Sequence, residues 1–413
     1  MDFNDTPEEA AFREEANGWL SGNAERLEPG ERREGPMGGE RADLLERAKA
    51  WQGVKADAGW ACITWPSAYG GRDASSIQNV IWNQEESRYR VPPNMFTIGH
   101  GMLGPTIMAH GTDAQKDRYL RPLLRSEELW CQLFSEPDAG SDLAGLRTSA
   151  VKDGDDWVVN GQKIWTSGAH YSDFGMIVTR TDPTAVKHAG ITYFIVDMKS
   201  PGIEIRPIKQ ISGSSDFNEV FFSDVRIPDT NRVGAVNDGW RGAITTLMNE
   251  RATLSDQGGY GLGWRDALKL AGEVDWHGRP ALEDSWVRQR IADFYVKTKG
   301  IEYTNFRSLT ALSQGKTPGP ENSISKMVGA ALRQDLAKFA LEMQGAAGVA
   351  RDPGSTELAG GFQANWLASP GLRLAGGTDE ILRNIVAERV LGLPAEARAD
   401  KGIAFKDIPT RSN

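Results

Sequence analysis

The sequence contains few of the residues that build metal centres and disulfide frameworks. Its 413 residues include two cysteines and five histidines, and the histidines form no closely spaced pair. Two cysteines supply neither a framework of disulfides nor the set of thiolates that a structural zinc site needs. We therefore expect no metal cofactor.

Long apolar runs and clusters of basic residues are also absent. Because no stretch approaches the roughly 20 apolar residues of a membrane helix, no membrane span is predicted. The net charge is −9 and the basic residues are dispersed, which argues against nucleic acid as the main partner. The N-terminal residues are acidic and match neither a signal peptide nor a transit peptide, so a cytoplasmic protein is expected.

The length exceeds that of one ordinary hydrophobic core, and the periodicity of the sequence divides it into three blocks. Residues 1–127 follow a helical pattern. Residues 128–240 contain short apolar segments separated by turn residues, which predicts a small β-barrel or a sandwich. Residues 241–413 return to long helical segments, which usually form an antiparallel bundle.

Local signals predict several boundaries within these blocks. Thr6 and Thr112 each begin a capping-box pattern, so each is predicted to precede a helix. Asn160-Gly161 separates two apolar segments and is predicted to be the two-residue turn of a hairpin. Thr378 follows two glycines and is predicted to cap a helix whose first N–H groups a ligand can approach. Residues 404–413 are predicted to be a tail.

Three stretches carry residues that suit ligand chemistry. Residues 135–145, SEPDAGSDLAG, fit a phosphate or a flavin edge, or else an ordinary surface turn. Residues 163–168, KIWTSG, place a tryptophan beside small hydroxyls, which suits either a flat heterocycle or a core position. Within residues 247–263, Glu250 lies on a predicted helix, either as a base or as a solvated or paired helix charge.

The order and spacing of these stretches resemble the acyl-CoA dehydrogenase family. The matching sequences are SEPDAGSD, QKIWTSG, LMNER and GGTDEILRNIVAERVLGLP, and the resemblance covers nearly the whole chain. It implies an α+β multidomain fold with an N-terminal helical domain, a middle β-barrel and a C-terminal four-helix bundle. It also implies FAD as the cofactor, an acyl-CoA as the substrate and an electron-transfer flavoprotein as the electron acceptor.

The resemblance also implies roles for individual residues. Contacts with FAD are implied for Phe134, Ser135, Gly140, Ser141, Trp165, Ser167 and Thr378. Ser141 is further implied to lie near the pantetheine of the substrate, and Arg251 beside the substrate. Gln344 and Gly348 match a segment that reaches the FAD of a neighbouring subunit in the family.

The catalytic base is implied by the branch of the family that the chain resembles. Many members carry the catalytic glutamate where this chain has Gly376. The isovaleryl-CoA and long-chain branches instead place it on the first long helix after the barrel, in a Glu-Arg pair that matches Glu250-Arg251. Glu250 would then take the α-proton, and the backbone amide of Gly376 would polarise the thioester oxygen.

The chain departs from the family at one further FAD contact. A family pattern of Arg-x-x-Phe-Gly, followed by a glutamine, aligns with Val274, His277-Gly278 and Ser285, which do not reproduce the usual hold on the flavin pyrophosphate. A homo-oligomer, dimer or tetramer, is the expected assembly. A heteromer with a different, flavin-holding subunit is the alternative.

Two other functions stay open at this point. A flavin-dependent monooxygenase of the same fold needs no α-proton base, and Glu250-Arg251 weighs against it. A non-catalytic partner subunit is the other alternative: Val274 and His277 favour it, whereas Glu250 and the full set of flavin-contacting residues in the middle block weigh against it. If the chain is a dehydrogenase, its small residues predict a wide acyl cavity that accepts branched, long or ring-bearing groups, and these residues are Gly258, Gly259, Gly261 and Gly376.

Overall fold

The computed structural model describes residues 5–28, 31, 41–255, 262–313, 322–350, 357–395, 397 and 400–409. These residues belong to two compact units. One unit lies within residues 2–253 and 396–413, and the other within residues 254–395.

Within its described residues, the first unit begins with five α-helices: α1 Pro7–Asn23, α2 Arg41–Asp57, α3 Ser76–Glu86, α4 Gly104–His110 and α5 Asp113–Leu124. The Thr6 hydroxyl accepts a hydrogen bond from the backbone N–H of Glu9, whose carboxylate accepts one from the N–H of Thr6. Thr112 and Gln115 make the same reciprocal pair. Both predicted capping boxes are therefore confirmed.

Eight strands follow in the described range 41–255: β1 Trp130–Leu133, β2 Ser149–Asp153, β3 Asp156–Ser167, β4 Phe174–Arg180, β5 Ile191–Asp197, β6 Ile203–Ile208, β7 Phe217–Pro228 and β8 Arg232–Val233. They form one sheet with the order β6-β7-β3-β2-β4-β5-β8, and β1 pairs in parallel with β4. Successive residues of β5 face two different apolar cores: Tyr193 packs in the core shared with α4 and α5, and Phe194 in the other. This explains why β5 is apolar along most of its length.

The predicted hairpin turn at Asn160-Gly161 is wrong. Strand β3 runs through both residues, and the register of β3 against β7 shifts there. Gly161 has a φ of 149°, and a Cβ at this position would lie 2.5 Å from the Thr148 hydroxyl. The glycine therefore serves a β-bulge that approaches a neighbouring segment closely. The turn itself lies between β2 and β3, at Gly154, whose φ is 60°.

The sheet leads into helix α6, Gly239–Ser255. The part of the remaining chain that the structure describes contains five more α-helices: α7 Trp264–Glu273, α8 Ser285–Ser313, α9 Asn322–Met343, α10 Gly361–Leu374 and α11 Asp379–Ile385. In the second unit α9 packs against α7, α8, α10 and α11. Their core contains Leu270, Phe294, Phe339 and Phe362. The predicted arrangement of a helical N-terminal part, a middle sheet and a helical C-terminal part is confirmed, whereas the exact domain boundaries stay predictions.

Residues 404–409, the described part of the predicted tail at 404–413, are attached to the first unit. Ala404 pairs with Val186, and the N–H of Phe405 donates to the Ala185 carbonyl at 2.9 Å. The Phe405 side chain is buried, which gives this segment an apolar anchor on the first unit.

Among the helices of the described residues, none has both the length and the apolar composition that crossing a lipid bilayer requires.

Candidate functional site

The structure brings together two of the stretches that the sequence singled out. The N–H of Ile164 donates to the Ser135 carbonyl at 2.9 Å, which joins β3 to the segment after β1. The Lys163 ammonium donates to the Phe134 carbonyl at 2.9 Å and to the Glu136 carboxylate at 2.8 Å. Phe134 and Ser135, both predicted flavin contacts, are therefore held directly beside the KIWTSG strand.

Lys163 and Glu136 form a buried ion pair behind these residues. The Lys163 side chain is completely buried and that of Glu136 is 8% exposed. The carboxylate also accepts hydrogen bonds from the N–H groups of Arg147 and Thr148, at 2.6 and 2.9 Å. Burial raises the pKa of Glu136, but Lys163 and these donors outweigh burial and hold the pKa below its ordinary value. Burial lowers the pKa of Lys163, and the attraction of the Glu136 carboxylate opposes that effect. The pair ties three chain segments together.

Trp165 has an unusual backbone conformation for a large side chain. It lies at an irregularity in the pairing of β3 with β7, and its φ is 59°. The residue is 56% exposed, and its ring makes an edge contact with Phe217, with the ring centroids 6.0 Å apart. A bulky residue in the left-handed region is rare, and such strain often marks a functional position. The bulge thus leaves a large aromatic surface open to a ligand.

Gly140 and Ser141 lie in the exposed turn that follows Glu136. Glu136 and Ala139 exchange two backbone hydrogen bonds, of 3.1 and 3.0 Å, and so close the turn just before Gly140. A Cβ added to Gly140 would meet nothing within 4 Å, so the space beside its backbone is open. Ser167, by contrast, is half-buried and lines a cavity of about 20 Å³.

Helix α6, which carries Glu250, is fixed to the sheet and to α4 one turn before that residue. The Thr246 hydroxyl is buried and lies 2.8 Å from the Thr106 hydroxyl and 3.1 Å from the Tyr193 hydroxyl. His110 of α4 forms a hydrogen bond of 2.8 Å with the Thr245 hydroxyl. Because residues four apart share a helix face, Glu250 lies on the same face as Thr246.

Tyr193 connects this helix to the predicted flavin contacts. Its ring makes an edge contact with the Phe134 ring, with the centroids 5.6 Å apart, and its hydroxyl forms a hydrogen bond with the Thr246 hydroxyl. Burial raises the pKa of the Tyr193 phenol above its ordinary range, so the hydroxyl stays protonated. Helix α6 is therefore linked to Phe134 through Thr246 and Tyr193, one turn before the half-buried Glu250.

In the second unit, the start of α11 has the geometry that the sequence predicted. Thr378 caps the helix, since its hydroxyl accepts from the N–H of Ile381 at 3.2 Å. Gly376 and Gly377 have φ values of 63° and 95°, a conformation that favours glycine. Lys326 donates to the Gly377 carbonyl at 2.6 Å and fixes the approach to the helix.

Gln344 and Gly348 make contacts inside the second unit. The Gln344 amide donates to the Ala340 carbonyl at 3.1 Å and accepts from the Gln363 amide at 3.3 Å. A Cβ at Gly348 would lie 2.3 Å from the Leu341 carbonyl oxygen, so close packing requires glycine there. Their contact with the FAD of another subunit stays a prediction.

The segment that departs from the family forms a tight turn. Val274 is the C-cap residue that follows α7, and His277 and Gly278 both have positive φ values, of 59° and 85°. The N–H of Trp276 donates to the Arg279 carbonyl at 2.7 Å and closes the turn. Ser285 then begins α8.

The side chain of Arg251 and the residues Gly258, Gly259 and Gly261 lie outside the described part of the chain.

Sequence reasoning missed four residues that hold the site together: Glu136, Lys163, Tyr193 and Thr246. Glu136 and Lys163 lay inside stretches that the sequence singled out, and a charged residue within an apolar strand was an available signal. Tyr193 and Thr246 gave no such signal, because their roles depend on contacts between distant segments.

The residues of the first unit fit a flavin. An exposed indole, two serine hydroxyls and an open backbone turn lie on segments that hydrogen bonds and an ion pair join. A flat heterocycle with hydrogen-bonding edges needs this combination of a stacking surface and short polar groups.

Three family models match the chain. They describe the N-terminal domain of acyl-CoA dehydrogenases over residues 6–127, the middle domain over residues 131–225 and the C-terminal domain over residues 237–391. Together they account for most of the sequence.

Individual relatives agree with these matches. Acyl-CoA dehydrogenase IpdE1 of Mycobacterium tuberculosis (strain ATCC 25618 / H37Rv) is 37% identical over 94% of this chain and 98% of its own length. Acyl-CoA dehydrogenase FadE34 of the same organism is 41% identical over 82% of this chain, which spans only 45% of that longer protein.

A solved structure named "Tcur3481-Tcur3483 steroid ACAD" is similar, with a TM-score of 0.78 and 30% identity over 96% of this chain and 100% of that one. With matches that extend over all three parts of the sequence, this chain belongs to the acyl-CoA dehydrogenase family and is an FAD-dependent oxidoreductase.

Proposed function

We propose that this protein dehydrogenates the Cα–Cβ bond of an acyl-CoA thioester, giving the trans-2-enoyl-CoA, with Glu250 as the general base. The observation that supports this most strongly is the anchoring of α6. Thr246 fixes the helix one turn before Glu250 and is linked through Tyr193 to Phe134. A base held on a rigid element near the cofactor is what proton abstraction from a weak acid requires.

The division of labour follows from the chemistry of the thioester. FAD, when bound, accepts the β-hydrogen with its electron pair. Glu250 takes the α-proton, the backbone amide of Gly376 stabilises the developing negative charge on the thioester oxygen, and Arg251 lies beside the substrate. The charge on the oxygen is greatest in the transition state, so a fixed amide there lowers the barrier.

The cofactor would be held mainly by the first unit. Trp165 would offer a stacking surface, Phe134 and Ser135 would line the ring, and Ser167 would lie near it. Gly140 and Ser141 would contact the flavin and the pantetheine, and Thr378 would contact FAD.

We further propose that the protein is an oligomer in which Gln344 and Gly348 reach the FAD of a neighbouring subunit. We also propose that it is cytoplasmic and passes electrons to an electron-transfer flavoprotein. The similar steroid ACAD structure is named after two proteins, Tcur3481 and Tcur3483, which supports a heteromer as an alternative to a homo-oligomer. The turn at Val274 and His277 favours the same alternative, because it lacks the arginine that usually holds the pyrophosphate.

Anaerobic visible spectroscopy of the purified protein tests the proposed reaction. A yellow flavin that acyl-CoA bleaches is the expected result, because substrate oxidation reduces the flavin. Bound flavin that acyl-CoA leaves oxidised, together with oxygen consumption by the reduced form, would instead indicate a monooxygenase. A colourless protein that restores flavin binding to another subunit would indicate a non-catalytic partner.

We predict a preference for a bulky acyl group. The similarity to a steroid ACAD supports a steroid-bearing substrate, and a glycine at position 376 leaves room where other members carry a glutamate. The value of kcat/KM should be about tenfold or more higher for a steroid acyl-CoA thioester than for butyryl-CoA, since apolar pockets discriminate by the area that the substrate buries. Activity confined to butyryl-CoA would contradict this preference.

A further inference from the structure

Two cationic side chains that are not among the predicted site residues, Arg180 and Lys187, bind the segment that directly follows Gly140 and Ser141. Arg180, at the end of β4, donates to the carbonyls of Ala144 and Lys187, each at 2.7 Å. The Lys187 ammonium donates to the Asp142 carboxylate at 2.5 Å. The residues that directly follow Ser141 are therefore tied to the sheet through side chains rather than through strand pairing.

The C-terminal segment covers both cations. Lys187 also donates to the Asp400 carboxylate at 2.6 Å. The Phe405 ring lies over the Arg180 guanidinium, with 3.8 Å between the ring centroid and the central carbon. Both of these side chains are buried, so their cation–π contact is poorly screened by solvent.

The two partners of Lys187 differ in exposure. The lysine side chain is 11% exposed, that of Asp400 is 26% exposed and that of Asp142 is 64% exposed. Burial lowers the pKa of Lys187, but the bonds to both carboxylates outweigh burial and raise it, so the ammonium stays charged. Without Asp400, the lysine would keep only the exposed partner, whose side chain is freer to move.

We propose that residues 400–409, the C-terminal brace, position the turn at Gly140 and Ser141 for ligand binding. Asp400 and Phe405 are positioning residues that act through Lys187 and Arg180. The ligand identity rests on the function proposed above, whereas the brace itself rests only on contacts within the first unit.

The test compares two brace variants of the full-length protein with a matched control. Asp400→Asn removes one charge and Phe405→Leu removes the aromatic face, and both substitutions keep the side chains similar in size. We expect each to raise KM for acyl-CoA by about five- to tenfold while kcat changes by less than about twofold. Hydrogen–deuterium exchange of residues 138–147 should become faster in both. Asp407→Asn, at an exposed position of the same segment, should change neither quantity.

The exchange measurement separates the brace from the enzymatic proposal. If the wild-type protein does not oxidise acyl-CoA but exchange at residues 138–147 still rises in both variants, the brace is supported and the proposed function is not. If both variants exchange at these residues as slowly as the wild-type protein, the proposed role of the brace is wrong. So would faster exchange spread evenly over the whole first unit, because that would indicate a general loss of stability.

Discussion

Glu250→Gln is expected to bind FAD normally and to lose the chemical step. The amide is nearly the same size as the carboxylate, so the packing of α6 against Tyr193 and Thr106 should survive. It cannot accept a proton at neutral pH, and a general base typically contributes about 10²–10⁴-fold to the rate. Since the α-proton of a thioester is very weakly acidic, the loss should lie at the upper end of that range or beyond it.

The measurement is the rate of anaerobic flavin bleaching after rapid mixing with acyl-CoA. Unchanged flavin absorbance before mixing would show that the cofactor site is intact. Glu14→Gln makes the same chemical change at an exposed position of α1 and should leave the rate unaltered. Bleaching of the Glu250→Gln protein within about twofold of the wild-type rate would exclude Glu250 as the base.

Features that depend on neighbouring residues were predictable from the sequence. Thr6, Thr112 and Thr378 all cap helices, because a capping hydroxyl needs only a free N–H two or three residues later. The predicted hairpin turn at Asn160-Gly161 was wrong because it considered only neighbouring residues. Asn-Gly favours a tight turn locally, but Gly161 is required there by the approach of Thr148, a residue on another segment.

The parts of the candidate site that hold it in place were not predictable. The sequence places Lys163 in a strand, but its buried contact with Glu136 depends on how β1 and β3 meet. The hydroxyl contacts of Thr246 likewise depend on how α6 lies across β5 and α4. Family resemblance supplied Glu250 as the base, and only the structure supplied the contacts that fix its helix.

Removing the ammonium of Lys163 is expected to be among the most destabilising single changes in the first unit. Lys163→Met keeps a similar volume but leaves Glu136 as a buried carboxylate without its cation. Breaking a buried pair in this way typically costs about 3–5 kcal/mol. The Phe134 carbonyl would lose its donor as well, so the variant should also retain less FAD when it is purified.

A double variant distinguishes the unpaired charge from lost packing. Lys163→Met combined with Glu136→Gln removes both charges, while the amide oxygen still accepts from the N–H groups of Arg147 and Thr148. It should therefore be more stable than Lys163→Met alone, with a coupling of at least about 1 kcal/mol between the two sites. The urea midpoint of the unfolding transition that releases flavin measures the stability of each variant. Lys209→Met, at an exposed position, is the control and should shift the stability by no more than about 0.5 kcal/mol.

The pair should also make stability depend on pH in a defined direction. Because the folded protein holds the pKa of Glu136 below its ordinary value of 4.5, the stabilisation is present above about pH 4.5. It is lost as the pH falls through the lower pKa of the folded state, where the carboxylate becomes protonated and the attraction to Lys163 disappears. The wild-type protein should lose stability over this range more steeply than the double variant, which has no carboxylate to titrate there. Parallel pH profiles for the two proteins, or a double variant no more stable than Lys163→Met, would show that the ion pair does not hold these segments together.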